Sequence, residues 1–188
     1  MKKFVIIAIL FFSRLSLETH NFSINNYEFP YNDYNDLNNL IKDISNHYNQ
    51  DFWFIKYIFD ICNNYDVDPI LMVSLIKIES SFYPYALSKR NAYGYCQITP
   101  IANKDVDKTL SRYNPKENII LGVKFIKKLM ERFEGDIITA LRYYNSGNDY
   151  DKHDKSYAEN IKYEYENIIR LYLKTDINYN AVYRRNAF

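Results

Sequence analysis

Apolar residues recur every three or four positions along most of this chain, which is the spacing of amphipathic helices. The run Ile70–Ile76 is apolar at almost every position, so it predicts a central, buried helix. Asp68 and Pro69 mark its start, because an aspartate accepts hydrogen bonds from free helical N–H groups and proline suits the first turn. The helix carries a carboxylate, Glu79, at its end.

Further helices are predicted from the same signals. Asp36 is the expected cap of a helix through Tyr48, and another helix begins near Asp51. Later starts are expected at Pro100, at Asn114-Pro115 with a stop at Gly135, at Asp136 with an end near residues 145–147, and in a last helix through Tyr157 and Tyr172.

Residues 81–99 interrupt this helical pattern. Pro84 and Gly94 break the periodicity, so we predict loops and short strands there. The expected fold is therefore all-α or mainly α: a single helical domain with a short irregular or β segment.

The bulk composition limits the possible functions. The 188 residues suit one domain with a sizeable core. The formal net charge is only +1, without the excess of positive charge that is typical of nucleic-acid-binding proteins, so we predict no nucleic-acid partner. We also expect a monomer. The 20 tyrosines and 12 phenylalanines have two interpretations: an AT-rich genome, or tyrosines that line a sugar groove by stacking on pyranose rings. The three histidines are scattered, and we predict neither a metal nor a cofactor.

The N-terminus carries the pattern of an export signal. Lys2 and Lys3 precede an apolar run over residues 4–12, which is too short to span a bilayer but fits the hydrophobic part of a signal peptide. We predict a signal peptide over residues 1–16 with a poorly defined cleavage site, and hence a periplasmic or cell-envelope location. An uncleaved anchor and a buried N-terminal segment are the alternatives.

The rest of the chain divides into three parts. We expect a polar arm over residues 17–35, the helical domain over residues 36–173 and a weakly ordered tail over residues 174–188. Export would allow a disulfide between Cys62 and Cys96. Both lie in apolar surroundings, however, which favours two buried free thiols.

Glu79 is the candidate for acid–base chemistry. A partly buried carboxylic acid keeps its proton near neutral pH because desolvation disfavours the charged form. Such an acid can protonate the leaving oxygen of a glycosidic bond. A glutamate in the last turn of a helix is most often an ordinary surface residue, so a catalytic role is expected only if the segment that follows it supports one.

Three motifs begin at this glutamate and follow one another along the chain. The first two are Glu79-Ser80-x-Phe82 and then Ala86, Ser88, Ala92, Gly94, Gln97, Ile98 and Pro100; the third is Ala140-Leu141-x-x-Tyr144-Asn145-x-Gly147. Together they resemble the soluble lytic transglycosylases, which have a lysozyme-like fold. Asn114-Pro115, Asn118-Ile119 and Gly122 resemble the connecting helix of that family, and Tyr157 and Ile161 resemble its closing helix. The resemblance extends over about residues 52–170.

The resemblance implies one catalytic residue, Glu79, which acts first as acid and then as base. It implies that Ser88 and Gln97 face the cleft and help to place an N-acetyl group of the sugar. Tyr144 is expected close to Glu79, where it would orient the carboxylate or the sugar, and Asn145 would support the same wall.

Three neighbouring residues complete the expected cleft wall. Gly94 allows a tight turn beside the cleft, and Tyr95 and Cys96 follow it. Cys96 stands where the family usually has methionine, so the wall becomes smaller at this position.

The activity implied by the resemblance is a peptidoglycan lytic transglycosylase. It would cleave the β-1,4 bond between N-acetylmuramic acid and N-acetylglucosamine and leave 1,6-anhydromuramic ends. The matched motifs contain no second acid; Asp105, Asp107 and Glu117 lie between the second and the third motif, at positions typical of a solvated helix surface.

Two other functions stay open. A hydrolytic muramidase on the same fold would need a second acid or a well-held water, and a peptidoglycan-binding assembly protein would need no acid. The expected partner is the glycan strand. The sequence leaves open both general wall turnover and work with a flagellum, pilus or secretion apparatus.

Overall fold

Seven α-helices account for most of the described residues in the structure, a computed structural model. It describes residues 34–151 and 156–185, and the side chains of residues 37–151 and 156–172. The helices are α1 (Tyr34–Tyr48), α2 (Phe52–Asn64), α3 (Pro69–Ser80), α4 (Pro100–Val106), α5 (Pro115–Arg132), α6 (Ile137–Ser146) and α7 (Ser156–Arg185), with a 3₁₀ turn at Gly147–Asp149 after α6. The predicted signal peptide (1–16) and the polar arm up to residue 33 lie outside the described residues.

Most helices begin where the sequence signals place them. The side chains that cap them are those of Asp51, Asp68, Thr99, Asn114 and Asp136. The predicted start of α1 is wrong, because the helix begins at Tyr34 and Asp36 lies in its first turn. A capping residue has to precede the helix, so Asp36 does not serve as the cap.

Helix α3 is the centre of the domain. Its residues Pro69–Ile76 are all buried, and it packs against α2 and α7. The cap Asp68 is buried too, and Tyr165 Oη of α7 donates a hydrogen bond of 2.8 Å to its carboxylate. Burial raises the pKa of Asp68 to about 6, although this bond and two backbone N–H bonds lower it. Apolar packing and one buried polar contact therefore hold α3 to α7.

The segment between α3 and α4 is irregular, as predicted. Its only regular pairing consists of two isolated antiparallel bridges, Leu87 with Tyr93 and Tyr93 with Ile98. The prediction of a mainly helical domain with a short irregular or β segment is thereby confirmed.

Helix α7 is longer than the sequence analysis expects. Its backbone continues to Arg185, past Lys174, where a weakly ordered tail was predicted. No glycine or proline occurs between residues 156 and 185, so nothing in the chain interrupts the helical hydrogen bonds.

Two further expectations concern the cysteines and the membrane. Cys62 and Cys96 are both buried free thiols. Among the helices that the structure describes, none combines the length and the apolar character needed to cross a bilayer.

Candidate active site

Glu79 lies in the last turn of α3, where part of its side chain still reaches solvent. Burial raises the pKa of its carboxyl to about 7, whereas a hydrogen bond donated by Tyr157 Oη to Glu79 Oε1 lowers it. No other carboxylate of the described chain contributes to this shift, so desolvation dominates. A carboxyl with a pKa near 7 can both give and take a proton at neutral pH.

Tyr157, the donor to Glu79, lies in the first turn of α7. Burial and the nearby carboxylate of Glu79 raise the pKa of its hydroxyl well above the usual value, so the hydroxyl keeps its proton and remains a donor. The sequence analysis gave Tyr157 no role at the site. Its place in the closing-helix pattern was the available signal, but 78 positions separate the two residues along the chain.

Tyr144 lies near Glu79 but does not orient it directly. Its Oη donates a 2.7 Å hydrogen bond to the backbone oxygen of Cys96, and its ring packs against Phe125 at 4.8 Å between centroids. Burial raises the pKa of the Tyr144 hydroxyl well above its usual value, and the neighbouring Cys96 and Glu79 side chains raise it further. A phenol has one proton to donate, and here that proton ties α6 to the loop.

The chain turns sharply after Glu79. Ser81 and Phe82 both have positive φ, at 48° and 63°, in the left-handed region that side chains rarely adopt. Phe82 is nevertheless buried, with its ring 5.1 Å from that of Tyr48 and 6.3 Å from that of Phe54. Apolar packing of Phe82 thus offsets backbone strain at the turn that starts the loop.

Ser88 and Gln97 both serve the loop's own structure. Ser88 Oγ accepts hydrogen bonds from the N–H groups of Arg90 and Ala92. Gln97 Nε2 donates to the carbonyl oxygens of Ala86, at 3.1 Å, and Gly94, at 3.0 Å. These bonds use both amide hydrogens of Gln97 and leave its Oε1 as the group that can accept from a ligand. Ser88, by contrast, retains its hydroxyl proton.

Asn118 of α5 holds the loop from inside the protein. It is fully buried, and its Oδ1 accepts from the Cys96 N–H at 2.8 Å. Its Nδ2 donates to the backbone oxygens of Tyr93 and Arg112, both at 2.8 Å. A single side chain therefore bonds three backbone groups, of which the Cys96 N–H and the Arg112 carbonyl oxygen are buried and would otherwise be costly to bury.

Gly94 and Gly122 are where this arrangement requires glycine. Gly94 has φ +80°, and a Cβ on it would lie 2.5 Å from Nδ2 of Asn118. A Cβ on Gly122 would lie 2.5 Å from the Cys96 sulfur. The positive φ confirms a tight turn at Gly94. The short distance at Gly122 shows that α5 and Cys96 are in close contact.

Arg112 is a second buried polar anchor that the sequence analysis missed. Its Nη1 donates to the backbone oxygen of Asn91 at 2.7 Å and to that of Ile98 at 3.3 Å. Its guanidinium also lies 4.4 Å from the ring centroid of Tyr113. An arginine just before a helix is normally at the surface, so only the tertiary structure reveals that Arg112 joins the middle of the loop, at Asn91, to its C-terminal end, at Ile98.

Two predicted residues lie apart from the group around Glu79. Tyr95 packs against Phe54 of α2, with 4.9 Å between ring centroids. Asn145 is exposed, and none of the hydrogen bonds within the described residues connects it to Glu79. Glu79, Tyr144, Tyr157 and Cys96 therefore form the central cluster. In the described part of the chain, no group of three or more His, Cys, Asp or Glu residues could hold a metal ion.

Comparison with known proteins places this architecture in a family. The transglycosylase SLT domain matches residues 56–167, more than half of the chain. The chain belongs to this family.

Several curated relatives resemble the same region. Membrane-bound lytic murein transglycosylase C of Actinobacillus pleuropneumoniae serotype 5b (strain L20) is 32% identical over 125 residues, covering 54% of this chain and 34% of the relative. A transglycosylase of Enterobacteria phage PRD1 is 34% identical over 83 residues, covering 44% of this chain and 31% of the relative. The chain thus spans about a third of the length of these relatives.

Solved structures share the fold. The X-ray structure of an inactive mutant of lytic transglycosylase Slt from Pseudomonas aeruginosa matches 64% of this chain and 24% of its own, with a TM-score of 0.54 and 19% identity. The 70 kDa soluble lytic transglycosylase SLT70 from Escherichia coli matches 63% of this chain and 24% of its own, with a TM-score of 0.55 and 17% identity. This likeness confirms the predicted lysozyme-like helical fold.

Proposed function

We propose that this chain is a peptidoglycan lytic transglycosylase that leaves 1,6-anhydromuramic ends. Family membership and the names of the relatives support the activity class. The observation that carries the proposal is the environment of Glu79. Burial raises the pKa of this carboxyl to about 7, and Tyr157 holds it without a second carboxylate contributing.

The proposed reaction uses Glu79 twice. The protonated carboxyl gives its proton to the β-1,4 oxygen between N-acetylmuramic acid and N-acetylglucosamine, and the bond from that oxygen to C1 of the muramic acid breaks. The substrate's acetamido group stabilises the positive charge that develops at C1. The Glu79 carboxylate then takes the proton of the C6 hydroxyl as O6 bonds to C1, so no water is consumed.

The loop side chains suit opposite roles toward the acetamido group. We assign Gln97 Oε1 as an acceptor, because both Nε2 hydrogens are bound to the loop backbone. We assign the Ser88 hydroxyl as a donor, because its oxygen already accepts two backbone N–H groups. Tyr144, Asn145, Gly94 and Cys96 would shape the cleft wall.

The candidate acids for a hydrolytic mechanism are engaged elsewhere. Asp107 accepts from Lys124 Nζ at 2.6 Å, and Asp105 lies 2.8 Å from Lys128 Nζ. Glu117 accepts from Ser111 N and from the Asn114 side chain. These contacts favour transglycosylation over the muramidase alternative, since all three carboxylates are bound to other groups and none is available to activate a water beside Glu79.

The location and the biological setting follow as part of the proposal. A signal peptide over residues 1–16 would export a monomeric domain over residues 36–173 to the periplasm or cell envelope. Relatives named as membrane-bound support an envelope setting. The partner is the glycan strand, in general wall turnover or beside an envelope assembly.

Product analysis tests the proposal directly. Purified sacculi are digested with the protein, half of the products are reduced with borohydride, and the masses are compared. Anhydro ends resist reduction, whereas hydrolytic ends gain two hydrogens. A digest dominated by reducible ends would make the protein a muramidase, and the absence of released muropeptides would favour the assembly protein.

A further inference from the structure

A concave surface lies between α2, the loop and the start of α5, and we call it the aromatic pocket. It encloses about 420 Å³, within the range of about 300–1,000 Å³ that is usual for ligand sites. Its lining residues are Trp53, Phe54 and Tyr57 of α2, Tyr95 of the loop, and Pro115, Lys116 and Ile119 at the start of α5. It shares no residue with the central cluster around Glu79.

The rings of the pocket are held in place. Trp53 is 70% exposed and packs edge-on against Phe52 at 5.3 Å between centroids. Tyr57 Oη donates to the backbone oxygen of Lys116 at 3.3 Å, so α2 and α5 are joined at the pocket. A preformed site with exposed ring surface binds a ligand at a low cost in conformational entropy.

A cation lies at the same place. Lys116 Nζ is 5.8 Å from the ring centroid of Tyr57. Within the described residues Lys116 takes part in none of the ion pairs. The charge of Glu117 also reaches Tyr57, but its carboxylate accepts from the Ser111 N–H and the Asn114 side chain. The pocket therefore combines apolar ring faces with a positive charge that is outside any ion pair of the described residues.

We propose that the aromatic pocket is an accessory binding site for peptidoglycan, in which a pyranose ring stacks on Trp53 and Lys116 meets a carboxylate of the attached peptide. The proposal rests on the proposed function, since it takes its ligand from the same polymer. A sugar ring offers the flat C–H face that indole and phenol rings bind. A concavity of this size with one cation suits a sugar better than a protein, whose stable interfaces bury about 1,200–2,000 Å² in total.

Such a site would hold a strand at a second point. Binding at two linked points raises the effective concentration of the polymer at the cleft without any new contact to the reacting sugar. This gain in binding is expected only for the long polymer and for fragments that fill the pocket.

Trp53 supplies the test, because it is the chain's one tryptophan. In the full chain carrying Glu79→Gln, tryptophan emission is titrated with a soluble disaccharide-peptide and, separately, with chitotetraose, which is neutral. We expect a saturable change in emission with both. Tyr57→Ala should weaken both by about tenfold, and Lys116→Gln should weaken only the charged fragment, by roughly fivefold. Tyr163→Ala is the matched control, since Tyr163 is 60% exposed but lies on α7.

The outcomes separate the two proposals. Unchanged emission with both probes, or affinities that Tyr57→Ala and Tyr163→Ala alter equally, would overturn the accessory site. Product analysis with the wild-type chain is scored separately. Anhydro products without an emission change refute the pocket alone, and an emission change without anhydro products refutes the proposed catalysis alone.

Discussion

Two regions next to Glu79, which we propose as the helical wall and the loop wall of a substrate cleft, are held together by different interactions. Helices α3 and α7 make the wall that carries Glu79 and Tyr157, and buried apolar side chains join these helices. The loop over residues 81–99 is the proposed loop wall, and the buried polar residues Asn118 and Arg112 hold its backbone.

This difference separates chemistry from shape. The helical wall supplies desolvation, which raises the pKa of Glu79. The loop wall supplies groups at fixed positions, and its accuracy depends on hydrogen bonds to otherwise unsatisfied backbone groups. Substitutions in the helical wall should therefore alter rate and pH dependence, and substitutions of the residues that anchor the loop wall should mainly alter stability.

The largest effect is expected at the acid itself. Glu79→Gln keeps the size of the side chain but cannot donate and recover a proton, so muropeptide release should fall about 100- to 10,000-fold. Release is measured by chromatography of digested sacculi, and melting temperature is measured in parallel. Asp105→Asn is the matched control, because this exposed acid is paired with Lys128. A Glu79→Gln protein with more than a tenth of wild-type activity would refute the assignment.

Breaking the loop wall should cost stability. Asn118→Ala leaves the Cys96 N–H and the carbonyl oxygen of Arg112 without their partner, whereas the carbonyl oxygen of Tyr93 keeps its bond from the Ile98 N–H. At about 1–3 kcal/mol for each buried unsatisfied group, we expect a loss of about 3 kcal/mol in the free energy of unfolding. Thermal denaturation should show a fall of roughly 6–12 °C. Asn145→Ala, at an exposed position, should leave the transition in place; an equal fall in both variants would contradict the distinction.

Tyr157→Phe should change the pH dependence of the rate. The hydrogen bond from Tyr157 lowers the pKa of Glu79, so its loss raises that pKa further above about 7. A general acid works while protonated, and the alkaline limb of the rate profile should therefore move to higher pH. The maximal rate should fall about tenfold or more, since a hydrogen bond to a charged group contributes about 1.5–3 kcal/mol. Tyr163→Phe is the control on the same helix, and an unmoved alkaline limb in Tyr157→Phe would rule out a direct effect on the acid.

The smallest effect is expected from Tyr144→Phe. It removes one neutral hydrogen bond, to the backbone oxygen of Cys96, and keeps the ring against Phe125. We expect a loss of about 1 kcal/mol in unfolding free energy, a modest fall in rate and an unchanged alkaline limb. Rate profiles recorded beside those of Tyr157→Phe check this. A shift of the alkaline limb equal to that of Tyr157→Phe would show that Tyr144 donates its hydrogen bond to Glu79 instead of to the loop.

Local signals predicted the helices and the position of the acid well. The caps at Asp51, Asp68, Asn114 and Asp136 act through hydrogen bonds to residues two or three positions away, so the sequence contains both partners. The start of α1 was mispredicted, because a single acidic residue is a weak boundary signal.

The sequence by itself determined the fold class, the order of the helices and Glu79 at the end of the buried helix, because these depend on periodicity and on short-range hydrogen bonds. Only the tertiary structure decided which tyrosine meets the acid, that Tyr144 holds the loop, that Asn118 and Arg112 anchor it, and that Tyr95 belongs to a separate pocket. Those contacts join residues 14 to 78 positions apart. Partners that far apart along the chain are brought together by the packing of whole helices, and no local pattern in the sequence records which pairs will meet.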